Sequence, residues 1–297
     1  MRQTIRLTLF CLVVSRLLVA GDYRFVKIDV PNSTQTEAHG INARGDIVGS
    51  YIDADGVPHG FLLRKAVFET IDVPGAAETL SARGINARGD IVGNIHDSAF
   101  NRHGYLLSHG HFTRIDYPGA AVTLAERINN AGDITGQWID ALGNGSGFIR
   151  KDGKFYNVSI PGGTGQTVRA AQDNGRVLVG NVFMDFDGGG HGFISRKPGT
   201  FELLDYPGLL VPCSGVRYIN QRGDIVGAFA NINVVDECYP PFNDQHGYLL
   251  RNGEFTVLNF PESPATDPFC INDDGVIVGR YTDRSGNTHG FKAAPRN

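Results

Sequence analysis

The sequence is poor in positive charge, in cysteine and in long apolar runs, and each shortage excludes a class of protein. The 297 residues include 27 Lys and Arg against 31 Asp and Glu, a net charge of −4, and no basic cluster. Such a chain is a poor candidate for binding nucleic acid. After residue 20 no apolar stretch is long enough for a membrane-spanning helix. Four cysteines are too few for a small disulfide-rich scaffold.

The first twenty residues differ from the rest of the chain. Arg2 and Arg6 precede the apolar run LTLFCLVVSRLLVA, which ends at Ala20. This pattern is typical of a secretory signal peptide. Arg16 interrupts the run and leaves an uncleaved anchor or a misplaced start as alternatives. We expect residues 1–20 to be the signal and residues 21–297 to form one secreted domain, extracellular or periplasmic, that exists as a monomer.

The rest of the chain is a sixfold repeat with three motifs. The first motif begins each copy: FVKIDVP at 25–31, FETIDVP at 68–74, FTRIDYP at 112–118, FYNVSIP at 155–161, FELLDYP at 201–207 and FTVLNFP at 255–261. The second is GINARGDIVG at 40–49 and 84–93, with relatives at 128–136, 171–180, 219–227 and 271–279. The third is a His-Gly-aromatic step, which has Ser146 in place of His in the third copy.

Each copy has the pattern of four β-strands. Apolar residues alternate, as strands require, and the second copy predicts strands over 79–85, 90–95, 104–107 and 112–116. Asn86 to Gly89 fits a type I turn in which the Asn side chain bonds back to the backbone and Gly takes a positive φ. Six four-stranded units of about 43 residues predict an all-β fold, a six-bladed β-propeller with antiparallel blades. A parallel β-helix is the competing interpretation.

The phase of the repeat predicts how the ring closes. The chain opens on a fourth-strand element, RFVKIDV, and ends just after a third-strand element, HGFK. The N-terminal strand is therefore expected to complete the last blade as its outermost strand.

As a set, the motifs FxxIDxP, GINxxGDIVG and HGF resemble the bacterial extracellular repeats called the HAF family. The resemblance covers all six units and implies secretion and a propeller-like array. It implies no catalytic residue.

The repeated histidines and the acidic loops are candidate metal ligands. His59, His103, His191, His246 and His289 occupy equivalent places in different blades, so we expect them to bond a backbone group or the turn Asn rather than a metal. Asp53-x-Asp55-Gly56 and Asp185-x-Asp187-Gly188 have calcium-like spacing but lack the distal Glu of a full calcium loop. We therefore predict no cofactor and keep calcium as an alternative.

Two long loops of the fifth unit are candidate binding elements. They are expected to lie on one face of the ring, with Leu210, Val235, Tyr239 and Phe242 as contact residues or as a small satellite core. Cys213 and Cys238 are expected to form a disulfide that joins them, and Cys270 to be a buried thiol.

The inner strands supply a second candidate site. Three residues before each turn Asn or its counterpart, the repeat varies from copy to copy: His39, Arg83, Glu126, Arg169, Arg217 and Phe269. Residues that vary on a constant scaffold are expected where a ligand binds. The same pattern would arise if a water-filled channel simply tolerated different polar residues at these positions. Three arginines facing one space favour an anionic ligand such as an acidic glycan.

The sequence thus predicts a non-catalytic module that binds an extracellular protein or glycan. The alternative is a polysaccharide lyase or hydrolase at the channel mouth, with Glu126 as its acid or base. No second carboxylate is evident for the usual hydrolytic pair. A purely structural surface protein is the third possibility.

Overall fold

The structure is a computed structural model that describes residues 22–184, 189–211, 213–231 and 244–296. These residues form six antiparallel sheets of four strands, and each sheet is one blade. First strands of neighbouring blades contact one another around the ring, so they line its axis. No helix in the described part of the chain is long and apolar enough to cross a membrane.

The chain enters through β1 (Tyr23–Ile28) and then builds the blades in order. Blade 1 contains β2 (Gln35–Ile41), β3 (Ile47–Ile52), β4 (Pro58–Arg64) and β5 (Val67–Ile71). Blade 2 contains β6 (Glu78–Ile85), β7 (Ile91–His96), β8 (Arg102–Ser108) and β9 (His111–Ile115). Blade 3 contains β10 (Val122–Ile128), β11 (Ile134–Ile139), β12 (Gly145–Lys151) and β13 (Lys154–Val158).

The second half repeats this order and then uses the first strand. Blade 4 contains β14 (Gly163–Ala171), β15 (Leu178–Met184), β16 (Gly190–Lys197) and β17 (Thr200–Leu203). Blade 5 contains β18 (Ser214–Ile219), β19 (Ile225–Ala230), β20 (Gln245–Arg251) and β21 (Glu254–Val257). Blade 6 contains β22 (Ala265–Ile271), β23 (Ile277–Thr282) and β24 (Thr288–Pro295), with β1 as its outer strand.

The predicted six-bladed propeller and its closure are confirmed. β1 pairs with β24 in antiparallel register from Tyr23 opposite Pro295 to Ile28 opposite Gly290. In the second copy the observed strand ends differ from the predicted ones by at most two residues, which is the usual uncertainty of strand limits.

Two of the sequence motifs interlock within each blade. The aromatic residue of the His-Gly-aromatic step is fully buried, as Phe61 is in blade 1. Its ring lies against the last Gly of the second motif, because a Cβ on Gly49 would come within 2.6 Å of the Phe61 ring and 2.0 Å of the Glu37 carbonyl. Only glycine fits there, so the two motifs recur together.

The turn Asn joins each blade to the next. In blade 1 the Asn42 side-chain oxygen accepts the backbone N–H groups of Arg44 and Asp46, the predicted turn bonds. Its amide nitrogen donates to the carbonyl of Asn86, the equivalent residue of blade 2. The same link continues around the ring through Asn129, Gln172, Asn220 and Asn272, and the last returns to Asn42. Six side-chain amides thus form a closed circle, which we call the amide ring.

The ring has two unlike ends. The turns that carry the amide ring, and those between third and fourth strands, emerge at one end, which we call the turn face. The loops between second and third strands, and those between blades, emerge at the other, the loop face.

Candidate ligand site at the central axis

A β-bulge interrupts the first strand of every blade at the same place. In blade 3 Ala125 pairs with Gly136 and Arg127 with Thr135, so Glu126 is the extra residue. Bulges aim side chains away from the regular pleat and are common beside binding sites. The extra residues of the six blades are those that the sequence singles out, namely His39, Arg83, Glu126, Arg169, Arg217 and Phe269.

Five of these side chains contact one another around the axis. Glu126 accepts a hydrogen bond from Arg169 at 2.8 Å, and its Oε2 lies 3.6 Å from Arg83 Nε. Arg83 Nη1 lies 3.3 Å from His39 Nδ1, and the rings of His39 and Phe269 are 5.0 Å apart. The described residues therefore form a continuous cluster across blades 1, 2, 3, 4 and 6.

The sixth residue and three charged neighbours complete the cluster. Arg217 makes a bidentate pair with Asp267, with both bonds at 2.9 Å. Arg280 of β23 lies opposite Asp267 of β22. Its guanidinium group pairs with Glu37 at 2.7 Å and lies over the Phe269 ring. We call these residues, together with Arg127, the axial cluster.

The charges fix the protonation of Glu126. Burial alone would raise the pKa of its carboxyl group, but the guanidinium groups of Arg169 and Arg83 outweigh burial and lower the pKa to about 2. Burial, together with Arg83, lowers the pKa of His39 well below its usual value. Glu126 is therefore a carboxylate and His39 a neutral imidazole at neutral pH.

Arg127 closes the axis beneath the bulge residues. It donates to the carbonyl of Phe269 at 2.8 Å, across the ring from blade 3 to blade 6, and lies over the Tyr218 ring of blade 5. Arg127 is 5% exposed, and Cys270 at the same level is 2% exposed. The cluster therefore has a floor toward the turn face.

Solvent reaches the cluster mainly through its arginines. The side chains of Arg83, Arg169 and Arg217 are 26%, 22% and 19% exposed, whereas those of His39 and Glu126 are 2% and 4% exposed. Glu37 and Arg280, which lie nearer the loop face, are 23% and 32% exposed. The part of the cluster that solvent reaches thus consists mainly of guanidinium groups.

Sequence reasoning missed Arg127, Glu37, Asp267 and Arg280. Arg127 stands where the other copies have Gly40, Gly84, Ala170, Tyr218 and Cys270. The equivalent position holds Gly or Ala in three copies, and an arginine there was the one feature of the sequence that could have pointed to Arg127. The bulges, which bring consecutive residues to the axis, cannot be read from the alternating pattern.

The repeated histidines are structural, but their expected partners were wrong. Nδ1 of His59 lies 2.8 Å from Asp72 of the first motif, and its Nε2 lies 3.3 Å from Asp53 of the adjacent loop. His103 and His289 are held between two aspartates in the same way. The carboxylates satisfy both ring nitrogens at the loop face, whereas the turn Asn lies at the opposite end of the blade. Among the described residues no group of three or more metal-binding side chains forms a site.

The calcium-like loop of blade 1 uses its first aspartate internally. Asp53 accepts the backbone N–H groups of Asp55 and Val57, and its second oxygen faces His59. The loop from Asp185 to Gly188 lies outside the described residues.

The candidate binding loops are described only in part. Leu210 is 86% exposed on the loop face, and Cys213 is buried. Val235, Tyr239, Phe242 and Cys238 lie outside the described residues, so the Cys213–Cys238 disulfide stays a prediction. Cys270 is the buried free cysteine that the sequence predicts.

A shallow groove of about 930 Å³ lies on the turn face, between β1 and blade 1. Its basic residues include Arg44 and Arg64, and both pair with Asp46, at 3.1 and 3.3 Å. The two arginines, which are exposed, share this one carboxylate, and because water screens their charges such pairs contribute little free energy.

Comparison with known proteins supports the fold. No family model and no curated protein matches the chain. AofleA from Arthrobotrys oligospora is 12% identical with a TM-score of 0.57, over 91% of this chain and 85% of that one. A gluconolactonase from Xanthomonas campestris is 12% identical with a TM-score of 0.55, over 93% and 91%. The Aleuria aurantia lectin AAL, a variant in complex with Fucα1-6GlcNAc, is 7% identical with a TM-score of 0.51, over 87% and 91%. At such identities the likeness shows the fold alone.

Proposed function

We propose that the protein is a secreted, non-catalytic binding module that takes an extracellular glycan at the axial cluster, from the loop face. The observation that carries this proposal is the variation of the six bulge residues together with their convergence on one space. The scaffold around them is nearly constant, whereas the residues at the axis differ from blade to blade. Membership of the HAF repeat family is part of the proposal and rests on the repeated motifs.

The structural neighbours are compatible with this function without selecting it. A lectin and a gluconolactonase both have this fold, so the fold permits sugar binding and sugar chemistry alike. The choice between them depends on the axial residues of this chain.

The protonation of Glu126 argues against the enzyme. A general acid for glycoside cleavage needs a proton at neutral pH, and a general base works best with a pKa near the working pH. A carboxylate with a pKa of about 2, bonded to Arg169, meets neither requirement. Asp267, the other buried carboxylate of the axial cluster, is held by Arg217.

Glycan-array binding and a reducing-sugar release assay on the same preparation test the proposal. We expect binding without release, and binding that falls at least tenfold in Arg217→Gln. Arg114→Gln, which removes an exposed arginine from outer strand β9, is the matched control and should bind normally. Release that disappears in Glu126→Gln would instead establish the enzyme.

A further inference from the structure

The axial cluster contains more positive than negative charge. Its described residues include five guanidinium groups, of Arg83, Arg127, Arg169, Arg217 and Arg280. They face three carboxylates, of Glu37, Glu126 and Asp267. Because His39 is neutral, the cluster carries an excess of two positive charges.

This excess of positive charge lowers the stability of the folded protein, because much of it is buried. Charges removed from water need a partner of opposite sign, since the lost hydration is otherwise uncompensated. Arg127 is almost fully buried, and its bonds go to the neutral carbonyls of Glu126 and Phe269. The Nε atoms of Arg83, Arg127 and Arg169 are buried and have no hydrogen-bond partner among the described residues.

We propose that the axial cluster holds a small anion, a single carboxylate or an inorganic anion of similar size, beside Arg83, Arg169 and Arg217. These three arginines are the cationic bulge residues that solvent reaches, and guanidinium groups bind carboxylates with directed hydrogen bonds. The inference rests on the same site as the proposed function and names the chemical group that the site recognises.

The loop face limits the size of this anion. Acidic residues outnumber basic ones in the loops of the loop face, and Arg284 is the one arginine or lysine in their described part. A polyanion lying across this face would be repelled, whereas a single small anion in the channel would lie mainly among the arginines. The end of a glycan chain that carries one carboxylate, or a free small anion, could bind the arginines without placing further negative charge against the acidic loops.

Thermal unfolding of the mature protein tests the inference with acetate, sulfate and galacturonate as the probes. Ionic strength is held constant with the sodium salt of a bulky sulfonate buffer. A bound anion stabilises the folded state by mass action, so we expect a saturable rise in Tm with each probe that binds.

The arms of this experiment distinguish the sources of the anion. If galacturonate raises Tm more than acetate does, the carboxylate belongs to a sugar acid. Acetate or sulfate stabilising equally well would identify a free anion. Stronger stabilisation by polygalacturonate, per carboxylate, would contradict the size limit.

Two substitutions that each remove one charge should act in opposite directions. Arg83→Gln reduces the positive excess and should weaken anion binding at least tenfold, while Glu126→Gln increases the excess and should tighten it at least tenfold. Mere disturbance of the site would weaken both. Glu37→Gln makes the same charge change at a more exposed position and replaces Glu126→Gln if that variant does not fold. Arg114→Gln should bind like the unmodified protein.

The absence of a saturable rise in Tm with every probe, or weaker binding in all axial variants, would overturn the inference. Glycan binding without any stabilisation by small anions would also overturn it and would leave the proposed function standing. Saturable anion binding without binding to any glycan would overturn the proposed function and leave the anion site.

Discussion

The side-chain amide of Gln172 donates a hydrogen bond to the carbonyl of Asn220 at 2.7 Å, and this bond carries the amide ring through its least regular repeat. The other five links, all from Asn, are 3.1 to 3.4 Å long. The turn that begins at Gln172 is one residue longer than the others, since its N–H bonds to Val177 rather than to a residue four positions on. Glutamine supplies one more methylene group, and the link is kept.

Gln172→Asn should therefore destabilise the protein, although it restores the residue found in the other five repeats. The shorter side chain would leave the buried Asn220 carbonyl without this donor, at a cost of about 1 kcal/mol in the free energy of unfolding. Urea unfolding measures the change. An unchanged or higher midpoint would show that the link contributes nothing.

The ring closure through β1 predicts unequal effects of trimming the two ends. Removing residues 22–28 exposes the edge of β24 and part of the blade 6 core, which includes Tyr23. We expect Tm to fall on the order of 10 °C or more. Removing Arg296 and Asn297 should change Tm by only a few degrees, because Ala293, which is fully buried, and the paired Pro295 stay in place. Equal shifts in calorimetry would contradict the closure.

The fold was predictable from the sequence because its repeats are local patterns. Alternating apolar residues mark the strands, and Asn-x-x-Gly marks the turn at 42–45 and its sister positions. The reason for the Asn was only half predictable. Its bonds to its own turn follow from local geometry, whereas its bond to Asn86 joins residues 44 positions apart and depends on how the blades pack.

The location of the axial site was predictable from the sequence, but the contacts between its residues were not. The bulge residues stood out because they vary, yet the pairing of Glu126 with Arg169 and the crossing of Arg127 to Phe269 join different blades. No spacing rule along the chain reveals such contacts. The histidine partners were mistaken for a similar reason, since Asp72 directly follows the next strand, β5, and comes beside His59 only when the two strands pair.

The position of His59 between Asp53 and Asp72 predicts a pH-dependent contribution to stability. Burial lowers the pKa of His59, but the two carboxylates outweigh burial and raise it. A raised pKa in the folded state means that the contribution is complete below the unfolded value of about 6.5 and is lost as pH rises through the folded value.

Urea unfolding of the unmodified protein and His59→Gln between pH 5 and pH 9 measures this effect. The stability difference between them should be largest at pH 5 and shrink toward pH 9. His111→Gln, at an exposed position on β9, is the control for the loss of a histidine elsewhere. A difference that grows with pH would contradict the assignment.

The backbone conformation of Phe100 predicts that replacing this residue with glycine stabilises the protein. It lies at the tip of a loop-face loop with φ of 61° and is 63% exposed. Gly56, Gly143 and Gly286 occupy this position in other blades, with φ near 85°. Phe100→Gly should raise the free energy of unfolding by about 1 kcal/mol, because glycine adopts this conformation without strain. Gly143→Phe should lower it by a similar amount, and a destabilised Phe100→Gly protein would show that the phenyl ring makes contacts that outweigh the strain.

The disulfide between Cys213 and Cys238 can be checked directly. Mass spectrometry of a non-reduced digest should find a peptide that links the two, while Cys270 remains alkylatable after unfolding. A bridge that contains Cys270 would overturn this pairing.

The most direct test of the axial site is a crystal soaked in bromide or selenate, which can be located by anomalous scattering. We expect a peak at the axis, within about 4 Å of the guanidinium groups of Arg83, Arg169 and Arg217, a distance typical of close ion pairs. The peak should weaken in crystals of Arg83→Gln. Peaks confined to the outer surface or the turn-face groove, with none at the axis, would contradict it.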